Sequence, residues 1–421
     1  MEKVMFILHM YSVGGAERRC VSIANYLASH GVEVKIVLLD INKMYACKQN
    51  HNGLEIDIGF TECHGVKIPA DEQVELVYLL HRDELPLAED KITCVAFEEN
   101  NLPPKHAGDY IKNTDTEQKK KAKKQLEQLE ELYVDRIYQY VKKHPEYKVI
   151  SWMTFCNIAT AVALSSLPND FAFVECTSPD IEFPKDSAFN YLKEMFYHRA
   201  STGFFQTEQM RDYYTYLPDM KAYVIPNPIL GNLPYCPITK RNKYIVTFCR
   251  VEKPKNLELL IETFSLLHEK HPEYQLHIYG DGSEKEHLKF IVKQKQLEQS
   301  ITFFDFTSDV HKKVMADAMF VSTSNREGIS NSMIEAMAIG LPTICTDCHG
   351  GGARAIIKDG ENGLLVPMED KYALLAAMSK IIESPELSDR LSKKGAEIRT
   401  ILSICNIGKK WEQAIKTPWH I

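Results

Sequence analysis

The chain has 421 residues, a formal net charge of -7, 44% hydrophobic residues and 25% charged residues. A chain of this length is too long for one ordinary hydrophobic core, which predicts two or three domains. The composition is typical of a soluble globular enzyme. The negative charge disfavours nucleic acid as a partner. The 11 cysteines are scattered, so we expect reduced thiols and no structural metal. No window approaches the roughly 18 apolar residues of a membrane span, which favours a cytoplasmic protein.

The first half of the chain has the strand-then-helix order of a doubly wound α/β domain. Residues 4–10 form an apolar strand pattern, residues 16–30 a helix with one apolar face, and residues 32–39 a second strand. Such a βαβ unit implies a parallel sheet. A long helix is predicted over residues 117–143. Further strand patterns occupy residues 74–80, 93–97, 149–153, 172–175 and 203–206.

The second half repeats this order after a linker at residues 223–228. Two prolines flank Asn227 there and cannot continue a helix or a central strand. The economical architecture is two similar α/β domains that face a cleft, with the ligand at the carboxyl ends of the strands. Strands are predicted at residues 244–249, 275–279, 301–304, 320–322 and 342–346.

The segment 325–342 carries the strongest chemical signal. It places the Glu327 carboxylate in a loop and a second carboxylate, Glu335, eight positions later in a short helix. Ser330 or Asn331 can cap the helix start, and Gly340 with Pro342 ends the helix. Backbone N–H groups at a helix start suit a phosphate, whereas two carboxylates suit sugar and ribose hydroxyls. The segment therefore predicts a nucleotide-sugar clamp; the alternative is a buried helix start with two solvated acids.

Two cations follow the first strand of the second half. Arg250 and Lys255 are expected at its carboxyl end, in the same cleft as the Glu327 loop. There they could stabilise the charge that a diphosphate leaving group gains as its bond to a sugar breaks. A metal-dependent site would show an Asp-x-Asp pair, and the chain contains none, so we expect no metal and no other cofactor. Taken alone, an arginine and a lysine near a turn are more often a solvated surface; the Glu327 segment downstream in the same domain favours the diphosphate interpretation.

Glycines after two other strands allow close approach of a ligand. Gly14 and Gly15 follow the first strand, and three glycines follow His349; either segment could instead be a structural turn. Asp40 ends the second strand, where an acid can hold a ribose. The Gly-x-Gly-x-x-Gly pattern is absent, which disfavours a nicotinamide enzyme.

Taken together, these residues resemble a family 4 glycosyltransferase of the GT-B fold. The resemblance is strongest over residues 225–367 and includes Arg250 with Lys255, the segment 327–335, the Gly-Asp-Gly of residues 280–282 and the segment 359–367. In the first half it rests on the Gly-Gly-Ala-Glu-Arg run of residues 14–18, a signature of one branch of the family. It implies two Rossmann-like domains facing a central cleft: residues 1–228 on the acceptor side and residues 229–400 for the nucleotide sugar. A C-terminal helix within residues 401–421 would return to the first domain.

The resemblance also implies a metal-independent transferase that retains the anomeric configuration. Arg250 and Lys255 would bind the diphosphate, Glu327 the hydroxyls of the donor sugar, and Glu335 the ribose. Gly15 would lie against the donor phosphates, with Gly14 beside it on the acceptor side. Further donor contacts would come from the start of the short helix, at Gly328, Ile329, Ser330 and Asn331.

One feature departs from the family pattern. Many members carry a histidine after the strand that here precedes residues 175–179, and this chain has none there. Glu175 is the candidate for a polar group near the acceptor; the alternative is an ordinary acid at the end of a strand.

The leading hypothesis is transfer of a hexose or N-acetylhexosamine from a UDP-sugar to a glycan or polyprenyl-linked acceptor, in cell-surface polysaccharide synthesis. The alternatives are a sugar phosphorylase, a nucleotide-sugar epimerase or a non-catalytic partner subunit that binds a nucleotide sugar. An anionic membrane surface is a further candidate partner, because lysines concentrate at the start of the helix at 117–143; the alternative is a solvated helix start. These lysines are Lys119, Lys120, Lys121, Lys123 and Lys124.

Overall fold

The structure, a computed structural model, describes residues 1–9, 15–39, 74–80, 92–96, 103, 105–235 and 240–419. It divides into two compact units. Unit 1 comprises residues 1–206, 210–225 and 407–421, and unit 2 comprises residues 207–209 and 226–406. The change from one unit to the other at Ile225 and Pro226 falls within the predicted linker.

Unit 1 contains an all-parallel sheet of eight strands, in the spatial order β4-β3-β2-β1-β5-β6-β7-β8. Its strands read as continuous apolar runs, such as Val-Met-Phe-Ile-Leu in β1, because helices cover both faces of a parallel sheet. The strands are β1 (Lys3–Leu8), β2 (Glu33–Leu38), β3 (Val74–Leu80), β4 (Ile92–Ala96), β5 (Lys148–Trp152), β6 (Phe171–Val174), β7 (Thr202–Phe205) and β8 (Lys221–Val224).

Among the described residues, helices follow β1, β4, β5, β6 and β7, in the predicted strand-then-helix order. They are α1 (Gly15–Ser29), α2 (Ala107–Tyr110), α3 (Glu117–Leu129), α4 (Asp135–Lys142), α5 (Thr154–Ala163), α6 (Pro179–Glu182), α7 (Ala188–Phe196) and α8 (Glu208–Tyr213), the last spanning the unit boundary. The helix predicted over residues 117–143 consists of α3 and α4 joined by a π-helical turn, Glu130–Val134. Thr116 caps its start by accepting a hydrogen bond from the backbone N–H of Lys119 at 3.2 Å.

Unit 2 contains a parallel sheet of six strands in the order β11-β10-β9-β12-β13-β14. The strands are β9 (Tyr244–Phe248), β10 (Gln275–Tyr279), β11 (Ile301–Phe304), β12 (Met319–Ser322), β13 (Thr343–Thr346) and β14 (Leu364–Val366). The helices are α9 (Leu257–Lys270), α10 (Lys285–Gln294), α11 (Val310–Val314), α12 (Asn331–Ala338), α13 (Gly352–Ile356), α14 (Lys371–Glu383), α15 (Pro385–Ala396) and α16 (Ile398–Ile401). The final helix, α17 (Ile404–Lys416), crosses from unit 2 into unit 1.

Each sheet reverses its winding direction at one point. In unit 1 this switch point lies between β1 and β5, and in unit 2 it lies between β9 and β12. Chain connections leave such a point in opposite directions and open a crevice at the carboxyl ends of the strands, where ligands bind. In unit 2 the turn that contains Lys255 follows β9 and the loop that contains Glu327 follows β12.

Helix α17 is held on unit 1 by an aromatic cluster. Trp411 is buried and stacks on Trp152 and Phe204, with ring centroids 5.7 Å and 4.3 Å away. The guanidinium of Arg19 lies 5.2 Å from the Trp152 ring and 5.6 Å from the Trp411 ring. Arg19 also donates to the carbonyl of Ile225 at 3.0 Å, so one side chain ties α1 to the C-terminal helix and to the end of unit 1.

Truncating Trp411 should destabilise unit 1. Trp411→Ala removes a fully buried ring and its stacking partners, and we expect a loss of about 3–5 kcal/mol in the free energy of unfolding. Urea denaturation followed by tryptophan fluorescence and circular dichroism measures this loss. The control is Lys410→Ala, an exposed neighbour in the same helix, which should change stability by less than about 0.5 kcal/mol. Equal stabilities of the two variants would refute the anchoring role.

Candidate functional site

The turn after β9 positions the first predicted cation. Lys253–Lys255 forms a single 3-10 turn, and Asn256 follows in the left-handed conformation with φ of +46°. Asparagine tolerates that conformation better than most residues. The turn therefore reverses the chain between strand β9 and helix α9, and it leaves Lys255 at the carboxyl edge of the sheet.

The loop after β12 is hydrogen-bonded to this turn. The hydroxyl of Thr323 donates to the carbonyls of Lys255 and Asn256, at 3.0 and 2.9 Å. The Asn325 N–H donates to the carbonyl of Pro254 at 2.9 Å, and the Asn256 amide donates to the Asn325 side chain at 3.1 Å. These four bonds couple the two segments that meet at the switch point, so that their side chains are held in a fixed relation.

Lys255 and Glu327 form an ion pair at this switch point. The Nζ of Lys255 donates to Glu327 Oε1, and the two side chains are only 15% and 21% exposed. Ser324 Oγ donates to the same carboxylate oxygen at 3.1 Å. Burial alone would lower the pKa of Lys255, but the Glu327 carboxylate outweighs burial and raises it, so the lysine stays cationic at neutral pH. The structure thus brings together Lys255, the residue predicted to bind the diphosphate, and Glu327, the residue predicted to bind the donor sugar.

Arg250 lies five positions before Lys255 and has an exposed side chain. Its charge is close enough to Lys255 to oppose protonation of that lysine, although more weakly than Glu327 favours it. Two like charges side by side repel unless an anion lies between them. Arg250 and Lys255 therefore place two positive charges near the Glu327 carboxylate, which offsets one of them.

Helix α12 starts as the sequence predicts, with Ser330 as its N-cap. The Ser330 side chain accepts from the Met333 N–H at 3.5 Å. A residue of the linker completes this start: the Asn227 amide donates to the carbonyl of Ile329 at 2.9 Å and to the Asn331 side chain at 3.0 Å. At the other end of the helix, Gly340 adopts a φ of +85°, the left-handed conformation that commonly ends helices.

Glu335 is buried on α12 and contacts a histidine. Its Oε2 lies 3.0 Å from Nε2 of His311, and the two side chains are 10% and 16% exposed. Lys255 and Glu327 lie in the segments that follow β9 and β12, whereas His311 belongs to the short helix α11 between β11 and β12. The two predicted carboxylates therefore have different partners, a lysine for Glu327 and a histidine for Glu335.

The glycines after His349 support the Glu327 loop. Glu327 N–H donates to the His349 carbonyl at 2.9 Å, and Gly351 adopts a φ of +67°. A side-chain carbon on Gly352 would lie 1.7 Å from the carbonyl oxygen of Gly328. Only glycine permits this approach, so the glycines have the structural role of a tight turn. A ligand-binding role for the same loop stays a hypothesis.

A small pocket that opens to solvent is lined in part by the Glu327 loop. Glu327, Ser324 and Met333 are among its lining residues, together with Cys345 and Cys348. These two cysteines have a Cys-x-x-Cys spacing, which the prediction of scattered cysteines overlooked. Both are free thiols, and burial raises the pKa of each, to about 12 for Cys348, so neither carries the thiolate that reactivity needs.

In unit 1 the structure describes only one of the two predicted glycines. Gly15 is the exposed first residue of α1, the helix that follows the switch-point strand β1 in the chain. Gly14 and Asp40 lie outside the described residues. On the other side of the switch point, Met153 follows β5 with a φ of +75°, a conformation that is rare and costly for a side chain of this size.

Glu175 lies in the interior of unit 1. Its side chain is 1% exposed and that of Lys193 0%, with 3.7 Å between Lys193 Nζ and Glu175 Oε1. The hydroxyl of Tyr197 donates to the same oxygen at 3.0 Å, and burial lowers the pKa of Lys193. This geometry is that of a buried ion pair that joins β6 to α7, so the strand-end alternative describes its contacts; an acceptor role stays a prediction.

Three partners of the predicted site were missed by reasoning from the sequence. They are His311, which contacts Glu335; Ser324, which contacts Glu327; and Asn227, which supports the start of α12. Asn227 had a visible signal, because an asparagine between two prolines is unusual. His311 had none, since it is separated from Glu335 by a complete strand and a loop.

Part of the chain is similar to known glycosyltransferases. Residues 237–398 match the family model of glycosyl transferases group 1, a range that contains Arg250, Lys255, Glu327 and Glu335. An uncharacterised glycosyltransferase of Haemophilus influenzae is 29% identical over 171 residues, which are 41% of this chain and 48% of that protein. A Campylobacter jejuni N-acetylgalactosaminyltransferase, which acts on a diphospho-undecaprenol according to its name, is 28% identical over 52% of this chain and 62% of its own length. The chain thus spans less than two thirds of either relative.

Solved structures match almost the whole chain. One of Staphylococcus aureus TarM, a mutant in complex with fondaparinux, α-GlcNAc-glycerol and UDP, has a TM-score of 0.69 at 15% identity and covers 99% of this chain and 100% of its own. Anabaena HepE in complex with UDP-glucose has a TM-score of 0.68 at 16% identity, with 99% of each chain covered. These matches confirm the predicted GT-B fold with two Rossmann-like domains. The family model and the relatives above confirm the resemblance to glycosyltransferases.

Proposed function

We propose that this chain, whose residues 237–398 match the family model of glycosyl transferases group 1, is a retaining glycosyltransferase. It moves a hexose or N-acetylhexosamine from a nucleotide sugar, with UDP as the nucleotide, to a glycan or a lipid-linked acceptor in cell-surface polysaccharide synthesis. The observation that carries the proposal is the Lys255–Glu327 ion pair at the switch point of unit 2, next to the charge of Arg250.

The chemistry follows from the charges of these residues. When the bond between the anomeric carbon and the phosphate oxygen breaks, negative charge collects on the diphosphate and positive charge on the sugar ring. Lys255 and Arg250 stabilise the first charge, and the Glu327 carboxylate accepts hydrogen bonds from the sugar as the second develops. Because the hydrogen-bonded turn and loop hold these groups before the donor binds, little reorganisation is needed when the bond breaks.

The remaining donor contacts are assigned to the start of α12. Backbone N–H groups around Gly328, Ile329, Ser330 and Asn331 face the phosphate and sugar, and Glu335 accepts from the ribose hydroxyls. Gly15, at the start of α1, contributes a backbone approach to the phosphates. Gly14 and Glu175 are the candidates for the acceptor side.

The direct test is donor turnover. Purified protein is incubated with UDP- and GDP-linked hexoses and N-acetylhexosamines plus a glycolipid extract as acceptor, and the free nucleoside diphosphate is measured. Release that depends on the acceptor supports a transferase. Conversion of the donor without release of nucleotide would instead identify an epimerase, and release driven by inorganic phosphate, with a sugar phosphate formed, a phosphorylase. Binding without turnover of any donor would leave a non-catalytic partner subunit and contradict the proposal.

Transfer should survive a chelator. The chain has no Asp-x-Asp pair, and the two cations can supply the charge stabilisation that a metal would otherwise provide. With EDTA in excess over any divalent metal in the assay, turnover should stay within about twofold of the untreated rate. A loss of turnover that magnesium or manganese restores would show that the reaction depends on a metal.

We further propose a cytoplasmic protein that docks reversibly on the inner face of the membrane through α3. No helix among the described residues is both long and apolar enough to cross a membrane. Of the five lysines at the start of α3, two have acidic partners: Lys119 lies 2.9 Å from Asp115 and Lys121 lies 3.9 Å from Glu117. Their charges are partly neutralised, so Lys120, Lys123 and Lys124 carry most of the attraction.

Binding to anionic vesicles should therefore depend on these three lysines. Each basic residue near an anionic surface contributes about 1 kcal/mol, so replacing all three by serine should weaken vesicle binding by about 10²-fold at low salt. Sedimentation with anionic and neutral vesicles at low and high salt measures this. The matched control replaces the paired Lys119 and Lys121 and should have a smaller effect. Unaltered binding of the triple variant, or no binding of the natural protein at low salt, would exclude this membrane contact.

A further inference from the structure

We propose that His311 is a positioning residue that orients the Glu335 carboxylate toward the ribose of a nucleoside diphosphate. This inference rests on the proposed function and concerns the same site. It adds a residue on which recognition of the nucleotide depends, although that residue lies 24 positions away from Glu335 in the chain.

The contact between the two residues is short and sheltered. His311 Nε2 lies 3.0 Å from Glu335 Oε2, with side chains that are 16% and 10% exposed. An ionised carboxylate only accepts hydrogen bonds, so Nε2 of the histidine carries the donated proton. In a partly buried site such a charge-assisted bond is stronger than in water. It restricts rotation of the glutamate about its terminal bonds.

The histidine is itself held in place by the fold. Its ring meets the Phe248 ring edge-on, with centroids 5.6 Å apart and an interplanar angle of 85°, and Phe248 packs against Phe320 with centroids 4.8 Å apart. On either side of it in α11, Val310 and Val314 are buried. Phe248 and Phe320 belong to the two strands at the switch point, so the same strands that position the Lys255 turn and the Glu327 loop also support the histidine.

This arrangement suits recognition of a ribose diol. Two vicinal hydroxyls bind a carboxylate well only when its plane faces them, because hydrogen bonds weaken steeply when misaligned. A carboxylate has about four acceptor sites, more than one bond to a histidine uses. By fixing one oxygen, His311 lowers the entropy that Glu335 loses when the nucleotide binds, and the benefit falls on the ribose hydroxyls alone.

The test compares two probes and four variants by isothermal titration calorimetry. The probes are UDP and 2′,3′-dideoxy-UDP, which differ only in the ribose hydroxyls. His311→Phe keeps an aromatic ring against Phe248 and removes the donor, whereas His311→Gln places an amide N–H near the position of Nε2. Glu335→Gln is the reference for loss of ribose binding. His268→Phe is the matched control, because His268 lies 2.9 Å from the hydroxyl of Ser300. Ser300 immediately precedes β11 and so lies at the amino ends of the strands, whereas the site lies at their carboxyl ends.

We expect the natural protein to bind UDP about tenfold more tightly than the dideoxy probe, the size of one charge-assisted hydrogen bond. His311→Phe should reduce this preference to about twofold without weakening the dideoxy probe, His311→Gln should keep most of it, and His268→Phe should leave it unchanged. An intact preference in His311→Phe, or equal weakening of both probes, overturns the positioning role while leaving the proposed function in place. Failure of the natural protein to bind UDP overturns both, and circular dichroism melts verify that each variant is folded.

Discussion

Lys255→Ala should lower the rate of sugar transfer by about 10²-fold or more while the protein stays folded. The Lys255 ammonium is held by Glu327 at the switch point, where it faces the charge that the leaving diphosphate develops. Removing it takes away a contact that stabilises the transition state. It also leaves the Glu327 carboxylate without its cationic partner, and the unpaired carboxylate would repel the diphosphate. Both effects act in the same direction.

The measurement is kcat/KM for the donor, with Lys253→Ala as the matched control. Lys253 lies on the same 3-10 turn and is exposed, so its loss changes the net charge by the same amount and should alter kcat/KM by less than about threefold. Arg250→Ala should reduce transfer to a similar extent as Lys255→Ala, since it removes the second cation. Turnover at the natural rate in either Lys255→Ala or Arg250→Ala would contradict the diphosphate assignment.

Glu327→Gln and Glu335→Gln should separate the chemical step from donor binding. Only Glu327 is proposed to hold the sugar as its ring acquires positive charge, so its neutral amide should lower kcat by about 10²-fold with little change in KM. Glu335 holds the ribose equally before and during the reaction, so Glu335→Gln should raise KM for the donor about tenfold and leave kcat nearly unchanged.

Steady-state kinetics of both variants decide this division of roles. The control is Glu298→Gln, an exposed acid near the amino end of β11, which should leave both constants unchanged. Since Glu327 is bonded to Lys255 and Ser324, whereas Glu335 is bonded to His311, the two substitutions disturb different partners. Indistinguishable effects on kcat and KM would remove the proposed division.

Much of the fold could be predicted from the sequence because most of its strands are apolar runs bounded by turn residues. The predicted strands at residues 275–279 and 301–304 coincide with β10 and β11, which follow clear turn signals. Two strands were missed: β8 is a half-exposed edge strand of four residues, and β14 has only three. β8 begins with a lysine and runs into the proline-flanked linker segment, whereas the equally short β11 is apolar or β-branched throughout. β14 is too short for an apolar pattern to emerge. The π-helical turn between α3 and α4 was also missed, because one additional residue hardly alters a helical stripe.

The candidate site could be predicted only in part, for a similar physical reason. Lys255 and Glu327 each follow a strand in a recognisable motif, so parallel topology alone places them at one edge of the sheet. The partners of Glu175 and Glu335 could not be predicted in this way, because Lys193 and His311 lie in helices with no local pattern that links them to these acids. Glu175 was predicted as a polar group near the acceptor and lies in a buried ion pair with Lys193, a contact that only the three-dimensional structure reveals.

The most direct test of the central claim is the affinity of the protein for UDP compared with uridine. If Lys255 and Arg250 hold the diphosphate, the natural protein should bind UDP about 10²-fold more tightly than uridine in calorimetry at 0.15 M salt, since each charge-assisted contact contributes about tenfold. Lys255→Ala should remove about tenfold of that preference and leave the affinity for uridine unchanged. Equal affinities of the natural protein for UDP and uridine, or an undiminished preference in Lys255→Ala, would contradict the account.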